Sequence, residues 1–352
     1  MRLQKMHFLK TQEEEKTLSD FIKSMTDKAR LTPQRVAFPE SDSLPILQCC
    51  ARVVEEKIGT PVLVGNQETV EALAKENGVS TEGFEYFDNT DEEVKKAFAA
   101  EYVANVGSKE KIVMKKLAVN LRAAMLLLKA GRVDCVAAGK ECSTGDVIVE
   151  TMSIVGMQEG VTSASSLGIA EIPGFNGPEG EMLGIADCAI TAWPDAEQLA
   201  GIAIASADTC TTLLGWEPRV AMLAFSTTGS AEHETIDVVR EAVKLVNEKR
   251  PDIKCDGEFQ LDSAIIPAVA EHKVKRPSEV AGKANILIFP NLHAGNIGVK
   301  LIQIFGHANA YGPVLQGFAL PVCDFSRSAP VEEMLGNVAM LIIRAAASKA
   351  KN

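Results

Sequence analysis

The sequence has few of the features that mark membrane, secreted or nucleic-acid-binding proteins. Its 352 residues contain no apolar run near the roughly 18 that a membrane span requires, and Met1 to Lys10 lacks the apolar centre of a signal peptide. Basic residues number 36 against 47 acidic ones, for a formal net charge of -11. A nucleic-acid surface normally has the opposite balance. We therefore expect a cytoplasmic protein that binds neither membranes nor nucleic acid, and an anionic ligand would need local cations.

The usual patterns of metal, redox and nucleotide sites are also absent from the sequence. The eight cysteines form no CxxC pair, and the five histidines show no metal-ligand spacing. Most cysteines lie in apolar segments, which predicts buried, reduced thiols. There is neither a GxGxxG fingerprint nor the Gly-Lys-Ser/Thr ending of a P-loop. We therefore expect no metal, and a nucleotide-dependent dehydrogenase is disfavoured.

Strand-like and helix-like segments alternate along the chain, which predicts an α/β architecture with a largely parallel sheet. After a polar helix at 11–30, we predict strands at 35–38, 61–65 and 133–138 with helices at 45–57 and 115–130. Ser143 should cap a further helix. A Gly- and Pro-rich segment, 157–184, leads to a second unit with strands at 186–191, 220–226 and 286–290 and helices at 196–214 and 235–248.

The last predicted helix, 331–349, carries an apolar stripe typical of one buried face. We expect this helix to return and pack on the first unit. The sequence therefore predicts two domains. Residues 1–150 together with 316–352 form the first, and residues 151–315 form the second.

Residues 311–333, YGPVLQGFALPVCDFSRSAPVEE, are the most informative segment for function. Ser328 is a candidate N-cap and Pro330 suits a first helical turn, so good capping explains part of the pattern. Helix capping does not account for the Ser326-Arg327 pair that precedes these two residues. Arg327 offers a planar fork of donors that matches phosphate, and the hydroxyl of Ser326 can donate to or accept from a reacting atom.

Two other loops have the composition of ligand-binding turns. Residues 226–230, Ser-Thr-Thr-Gly-Ser, follow a predicted strand and could hold phosphate at a helix start, although an ordinary capped turn explains them equally well. Residues 290–298 supply small residues where backbone can approach a ligand. His293 in that loop could act as a base, but no carboxylate nearby would orient it, which favours a surface or hydrogen-bonded histidine.

Several motifs together resemble the phosphate acetyl/butyryl transferase family, over a stretch from about Arg35 to the C-terminus. They lie at 186–189, 226–230, 255–264, 280–285, 294–298 and 315–317. The resemblance implies two α/β domains flanking a cleft, as in the isocitrate and isopropylmalate dehydrogenases. It also implies a reversible acyl transfer between coenzyme A and inorganic phosphate, with coenzyme A as a substrate rather than a bound cofactor, and a homodimer.

The resemblance assigns roles to individual residues. Ser326 matches the serine that contacts the coenzyme A thiol, Arg327 the arginine that holds phosphate or the acyl oxygen, and Glu333 the general base, which is aspartate in most acetyltransferases. The expected substrate-binding positions are Ser226, Thr227, Gly229, Ser230, Asn296, Gly298, Gln316 and Gly317.

Some family arginines are missing from this sequence. Val149 stands where the family places a phosphate-binding arginine, and a second arginine is replaced near Pro45. A charged hydrogen bond contributes about 1.5 to 3 kcal/mol, so phosphate affinity should fall unless other cations substitute. The candidates for this substitution are Lys140, Arg122 and Lys115.

We interpret the chain as a phosphate acetyltransferase, because the carboxylate of acetyltransferases is retained at Glu333. A phosphate butyryltransferase is the alternative acyl specificity. The missing arginines favour a second alternative, a non-catalytic relative that binds acyl phosphate or coenzyme A. Phosphorolysis of acyl-CoA would distinguish an enzyme from such a relative.

Overall fold

Two separate β-sheets organise the chain, seen in a computed structural model that describes residues 19–159 and 161–351. In chain order the strands are β1 (Gln34–Phe38), β2 (Gly59–Val64), β3 (Glu85–Phe87), β4 (Cys135–Ala138), β5 (Ser165–Glu171), β6 (Met182–Ala186), β7 (Arg219–Leu223), β8 (Lys254–Phe259), β9 (Ile286–Ile288), β10 (Asn309–Gln316) and β11 (Val322–Asp324). The first sheet has the order β11-β4-β1-β2-β3, and the second has the order β10-β5-β6-β9-β7-β8.

Every strand pair of the first sheet is parallel. In the second sheet only the β10-β5 and β5-β6 pairs are antiparallel. Strand β4 is buried along its whole length, as its unbroken apolar sequence predicts for a strand covered on both faces. The predicted α/β fold with a largely parallel arrangement is confirmed.

Helices cover these sheets. In chain order they are α1 (Asp20–Arg30), α2 (Leu44–Glu55), α3 (Gln67–Glu76), α4 (Glu92–Asn105), α5 (Glu110–Leu117), α6 (Asn120–Lys129), α7 (Thr144–Ile154), α8 (Ala196–Leu214), α9 (Glu234–Lys249), α10 (Leu261–Ile265), α11 (Pro267–Lys273), α12 (Leu292–Phe305) and α13 (Val331–Lys351). Among the described helices, none combines the length and hydropathy needed to cross a membrane.

Helix α13 returns to the first sheet, as its stripe predicts. The stripe residues Met334, Leu335, Val338, Leu341 and Ile342 are all buried. The helix packs against α1, α2 and strands β1, β4 and β11, and its other contacts include α8 and β10 of the second sheet. Residues 317–321 connect β10 in the second sheet to β11 in the first. The domain boundaries at 150 and 316 stay a prediction.

Two predicted elements are wrong, each because of a tertiary or side-chain hydrogen bond. The predicted helix 115–130 is broken into α5 and α6, since the buried amide of Asn89 donates to the carbonyl of Leu117 (2.8 Å) and to the Asn120 side chain (2.9 Å). The observed strand β6 ends at Ala186, the residue at which the predicted strand 186–191 was expected to begin. The carboxylate of Asp187 accepts hydrogen bonds from the three N–H groups of residues 189–191 and forms a turn.

The predicted connection 157–184 instead contains strand β5 and the start of β6, because β5 pairs antiparallel with β6 and with the distant β10. The other predicted boundaries agree with the structure to within a few residues. Helix α8 spans the predicted range 196–214, and Ser143 caps α7 by accepting from the N–H of Asp146 (3.1 Å). The predicted helix 11–30 is described only from Asp20 onward, and its residues 11–18 lie outside the described part of the chain. All eight cysteines are free thiols, six of them buried, while Cys142 and Cys188 are half-buried.

Candidate active site

The segments that follow β11, β4 and β1 meet at one edge of the first sheet. These three strands are neighbours and parallel, and the register places Asp324 at the end of β11 beside Ala138 at the end of β4. Ligand sites of open α/β sheets form outside the carboxyl ends of the strands. The predicted Ser326-Arg327 pair therefore lies at the edge where a substrate site is expected.

The loop after β4 is organised around the buried carboxylate of Glu40. This carboxylate accepts four backbone hydrogen bonds at 2.7 to 3.2 Å, from the N–H groups of residues 139–142. Successive N–H groups form a concave anion site, and here the chain supplies the anion itself. Glu40 thereby fixes the backbone on which Lys140 is carried.

Asp324 ties the end of β11 to the start of α7. Its Oδ2 accepts a hydrogen bond from the Thr144 hydroxyl at 2.6 Å, while its buried Oδ1 has no partner. The pKa of Asp324 is raised to about 6, because burial and the charge of Glu40 raise it more than the Thr144 hydrogen bond and the charge of Arg327 lower it. Gly139 is required beside it, because a Cβ there would lie 2.0 Å from Oδ1.

The Ser326-Arg327 loop is exposed and held from beneath by Lys140. The Lys140 Nζ donates to the carbonyl oxygens of Arg327 (2.8 Å) and Ala329 (2.9 Å). The Ser326 Oγ lies 3.0 Å from the Ser328 Oγ. No carboxylate among the described residues forms an ion pair with the Arg327 guanidinium, so this fork of donors remains accessible to an anionic substrate.

Glu333 lies in the first turn of α13, half-buried behind this loop. Burial raises the pKa of its carboxyl, while the nearby positive charge of Lys140 lowers it. A raised pKa suits a carboxylate that must accept a proton from a thiol. Ser328 is not the N-cap: α13 begins at Val331, so the capping position falls to Pro330, and Ser328 bonds to Ser326 instead.

Val149 faces solvent on α7, where it is 61% exposed. It lines an open cavity of about 500 Å³ together with Lys111, Lys115, Lys116 and Arg122. Arg122 is committed to Glu150, with which it forms hydrogen bonds at 2.7 Å. Of the three cations that we considered as substitutes, Lys140 holds carbonyls and Arg122 is paired. Lys115 forms no ion pair with any described residue and lines the cavity beside Val149.

The predicted phosphate loop 226–230 already surrounds a carboxylate of the chain. Glu258 accepts from the Ser226 hydroxyl and the Gly229 N–H, each at 2.8 Å, and pairs with Arg240 at 3.0 Å. Burial opposes ionisation, but these hydrogen bonds lower the pKa of Glu258 to about 2. The Thr227 hydroxyl bonds within the fold to Gln260 and Ser263. The donors of Ser226 and Gly229, which were expected to hold phosphate, thus stabilise this turn.

Asn296 and Gly298 lie inside helix α12 rather than in the predicted loop. Asn296 is exposed and donates to the carbonyl of Cys188 at 3.2 Å, and Gly298 accommodates the ring of Phe289. His293 is an exposed residue in the first turn, with its ring edge-on to Trp193. These observations place the 290–298 segment against the second sheet and bring none of its side chains into hydrogen-bonding contact with Ser326.

Gln316 is fully used by the fold. Its amide donates to the Ala205 carbonyl (3.0 Å) and the Thr209 hydroxyl (2.8 Å), and its oxygen accepts from Ser165 and Ser206. Gly317 adopts φ +87°, and a Cβ there would approach the carbonyl of Ser163 at 2.8 Å. Both residues precede β11, so they lie at the opposite end of that strand from Ser326.

Comparison with known proteins identifies the family. The model of the phosphate acetyl/butaryl transferase family matches residues 20–342. The chain belongs to this family. Phosphate acetyltransferase from Thermoanaerobacterium thermosaccharolyticum is 37% identical over 327 residues, which cover 92% of this chain and 99% of the relative. The EutD phosphotransacetylase from Staphylococcus aureus is 31% identical, with a TM-score of 0.84 over 94% of this chain and 100% of that chain.

A more distant likeness confirms the predicted fold. A structure from Salmonella typhimurium described as a 4-hydroxythreonine-4-phosphate dehydrogenase has a TM-score of 0.52 at 12% identity, covering 88% of this chain and 99% of that chain. At this identity the likeness concerns the fold alone, which is that of isocitrate dehydrogenase-like proteins. Within residues 19–159 and 161–351, no three His, Cys, Asp or Glu side chains are grouped to hold a metal ion.

Reasoning from sequence missed Glu40 and Asp324 as parts of the site. Asp324 ends one strand of the first sheet, and Glu40 lies two residues after the end of another. Acidic residues at the carboxyl ends of parallel strands in one sheet were the signal that could have found them. Using this signal requires the strand order, which places β4 between β1 and β11.

Proposed function

We propose that the protein transfers an acetyl group reversibly between coenzyme A and inorganic phosphate. The observation that carries this proposal is the arrangement at the carboxyl edge of the first sheet. An accessible serine and arginine lie on a clamped loop, and a half-buried carboxylate with a raised pKa, Glu333, begins the next helix. The 37% identity to a phosphate acetyltransferase over almost the whole chain supports the same reaction.

In the direction that consumes acetyl phosphate, Glu333 accepts the proton of the coenzyme A thiol. Ser326 orients the sulfur, which attacks the acyl carbon and forms the new C–S bond. Arg327 stabilises the negative charge that develops on the acyl oxygen and on the departing phosphate. The C–O bond to phosphate then breaks with both electrons remaining on phosphate, and no acyl-enzyme forms.

Proton transfer from the thiol is the step that the protein must make easier. A thiol with a pKa near 8.5 and a carboxyl near 4.3 differ by about 4 units, or roughly 6 kcal/mol of unfavourable transfer. Burial of Glu333 raises its pKa and narrows this gap from one side. The positive charge of the Arg327 guanidinium stabilises the thiolate, which lowers the pKa of the thiol and narrows the difference further.

The remaining expectations are part of the same proposal. Coenzyme A is a substrate rather than a resident cofactor, the protein acts as a homodimer in the cytoplasm, and Ser326, Arg327 and Glu333 are the catalytic residues. Butyryl transfer is the alternative specificity. One methylene changes binding by only about 1 to 3 kcal/mol, so a small difference in the acyl pocket decides between them.

Thiol release from acetyl-CoA and butyryl-CoA, each with and without phosphate, tests the proposal. We expect release from acetyl-CoA that requires phosphate, with acetyl phosphate as the second product. A kcat/KM for butyryl-CoA more than about tenfold higher, roughly 1.4 kcal/mol, would reverse the acyl assignment. Binding of both substrates without thiol release would favour a non-catalytic relative.

A further inference from the structure

A second polar crevice lies away from the Ser326 loop, between α8, α13 and the connection 316–321. Its volume is about 280 Å³. The polar side chains that line it include Gln158, Asp208, Thr209, Thr212, Arg344 and Ser348. The catalytic roles proposed for Ser326, Arg327 and Glu333 do not use this crevice, although Gln316 and Gly317, which the family resemblance assigns to substrate binding, form part of one wall.

Arg344 is a cation that forms no ion pair with the described residues around this crevice. The side chain is half-buried, and among the residues that the structure describes it forms neither a hydrogen bond nor an ion pair. The thiols of Cys135 and Cys323 lie near its guanidinium, and burial raises the pKa of both thiols so that they stay neutral. Burial lowers the pKa of Arg344 to about 10. Placing an unpaired charge in such surroundings costs free energy that a bound anion would offset.

A second donor without a hydrogen-bond partner lines a small cavity together with Arg344. The Nδ2 of Asn337 is buried without a hydrogen-bond partner. Asn337 and Arg344 are seven residues apart on one face of α13 and line the same narrow cavity of about 10 Å³. That volume is close to what one water molecule needs. Asn337 and Arg344 thus share a cavity with room for about one water molecule, whereas the larger crevice is lined by Arg344.

The crevice is separate from the proposed catalytic residues. Arg344 follows Glu333 by 11 residues (344 minus 333) in the same helix, which corresponds to about 16 Å along the helix axis. The connection 317–321 lies at the amino end of β11, and Ser326 follows its carboxyl end. A ligand at Arg344 would thus leave the Ser326 site open.

Of the described residues that line the crevice, one is a carboxylate, and its charge is already neutralised. Asp208 pairs with Arg250, whose Nη1 lies 3.1 Å from each of its oxygens. Thr212 and Ser348, half-buried residues on either side, contribute hydroxyl groups. The crevice therefore combines one available guanidinium with neutral donors, which is the chemistry that binds a phosphate or carboxylate.

We propose that the Arg344 crevice is a binding site for a small oxyanion, a phosphate or carboxylate group carried by a metabolite. Arg344 is its anchor, and the hydroxyls on α8 and α13 complete the contacts. Because α8 packs on the second sheet and α13 on the first, the anion would contact helices that cover both sheets. This site does not depend on the proposed reaction.

Chemical modification by phenylglyoxal, followed by peptide mass spectrometry, tests the site with sulfate as the probe. We expect sulfate to slow the modification of Arg344 at least about tenfold, the effect of a charged hydrogen bond, while sodium chloride at matched ionic strength has no such effect. The exposed Arg132 serves as the internal control and should react equally in both salts. An Arg344 that is unreactive in both salts, or equally reactive in both, would overturn the proposal.

Thermal unfolding supplies the second measurement. Sulfate should raise the Tm of the wild-type protein above the chloride control, and Arg344→Gln should shift the half-maximal sulfate concentration at least about tenfold higher. Arg327→Gln changes the Ser326 loop and not the Arg344 crevice. Sulfate should therefore still protect Arg344 from modification in this variant. Protection of Arg344 by coenzyme A but not by sulfate would make the crevice part of the substrate site and would contradict the inference.

Discussion

The ammonium group of Lys140 holds the backbone of Arg327 from below. It donates to the Arg327 carbonyl at 2.8 Å and to the Ala329 carbonyl at 2.9 Å. The same charge lowers the pKa of Glu333 against the effect of burial. One side chain thus fixes the loop that carries the serine and arginine and adjusts the carboxylate that we assign as base.

Replacing Lys140 should therefore impair both the loop and the base. Lys140→Met removes two charge-assisted hydrogen bonds, each contributing about 1.5 to 3 kcal/mol, and we expect turnover to fall at least about tenfold. Lys129→Met is a matched control, because Lys129 also donates to a main-chain carbonyl, that of Val155 at 3.0 Å. Equal losses of turnover in both variants, measured in a folded state, would contradict a specific role for Lys140.

The three proposed catalytic residues should each affect the chemical step. We expect Ser326→Ala, Arg327→Gln and Glu333→Gln to lower kcat at least about tenfold, equivalent to about 1.4 kcal/mol of barrier. Ser326 and Arg327 are exposed, so their replacement should leave the Tm almost unchanged. Glu332→Gln is the matched control for Glu333 and should retain most activity. Near-normal kcat in all three folded variants would contradict the assignment of these residues as catalytic.

The activity should depend on pH through Glu333. Its carboxylate form is the base, and burial raises its pKa. The rate of acetyl phosphate consumption should then increase with pH through a midpoint above that of an ordinary glutamate. In Lys140→Met the positive charge that lowers this pKa is gone, so the midpoint should move to higher pH. The measurement is the pH profile of kcat/KM. An unchanged midpoint in Lys140→Met would contradict the effect of the Lys140 charge on the pKa of Glu333.

Local sequence patterns predicted the elements whose determinants are themselves local. Helix α8 has the bounds that were predicted, and the capping box that Asp195 and Gln198 form at its start is a local determinant of those bounds. The Ser326-Arg327 pair and Glu333 could be proposed together because one loop and one helix start carry them. Their proximity follows from seven residues of chain rather than from the tertiary fold.

Features that depend on partners far along the chain were not predictable in this way. The Ser226 loop has the composition of an anion site, but the anion is Glu258, which lies 32 residues later on a different strand. Lys140 reaches carbonyl oxygens 187 and 189 residues away. A sequence pattern reveals the donors of such a contact, whereas the identity of the acceptor depends on the strand order.

Asp324 should make the stability of the fold depend on pH. Its pKa is about 6 in the folded protein, against 3.8 ordinarily, so the folded state binds more protons between these values. The free energy of unfolding should then fall as pH rises from about 4 to about 6.5, by roughly 3 kcal/mol at most. Asp324→Asn should remove this decrease, whereas Asp42→Asn, at an exposed carboxylate, should keep it. Denaturant unfolding at several pH values measures the slope, and parallel profiles for Asp324→Asn and wild type would contradict the prediction.

Val149 offers a test of how phosphate is recognised. Its side chain is 61% exposed beside Lys115, so an arginine there has room and would add a second available cation to the same cavity. We expect Val149→Arg to lower the KM for phosphate about tenfold, the effect of one charged hydrogen bond, with little change in kcat. Met152→Arg adds the same charge at an exposed position of the same helix. This control separates phosphate binding at position 149 from a general attraction of phosphate to added positive charge. Unchanged phosphate dependence in Val149→Arg, or an equal gain in Met152→Arg, would show that phosphate binds elsewhere.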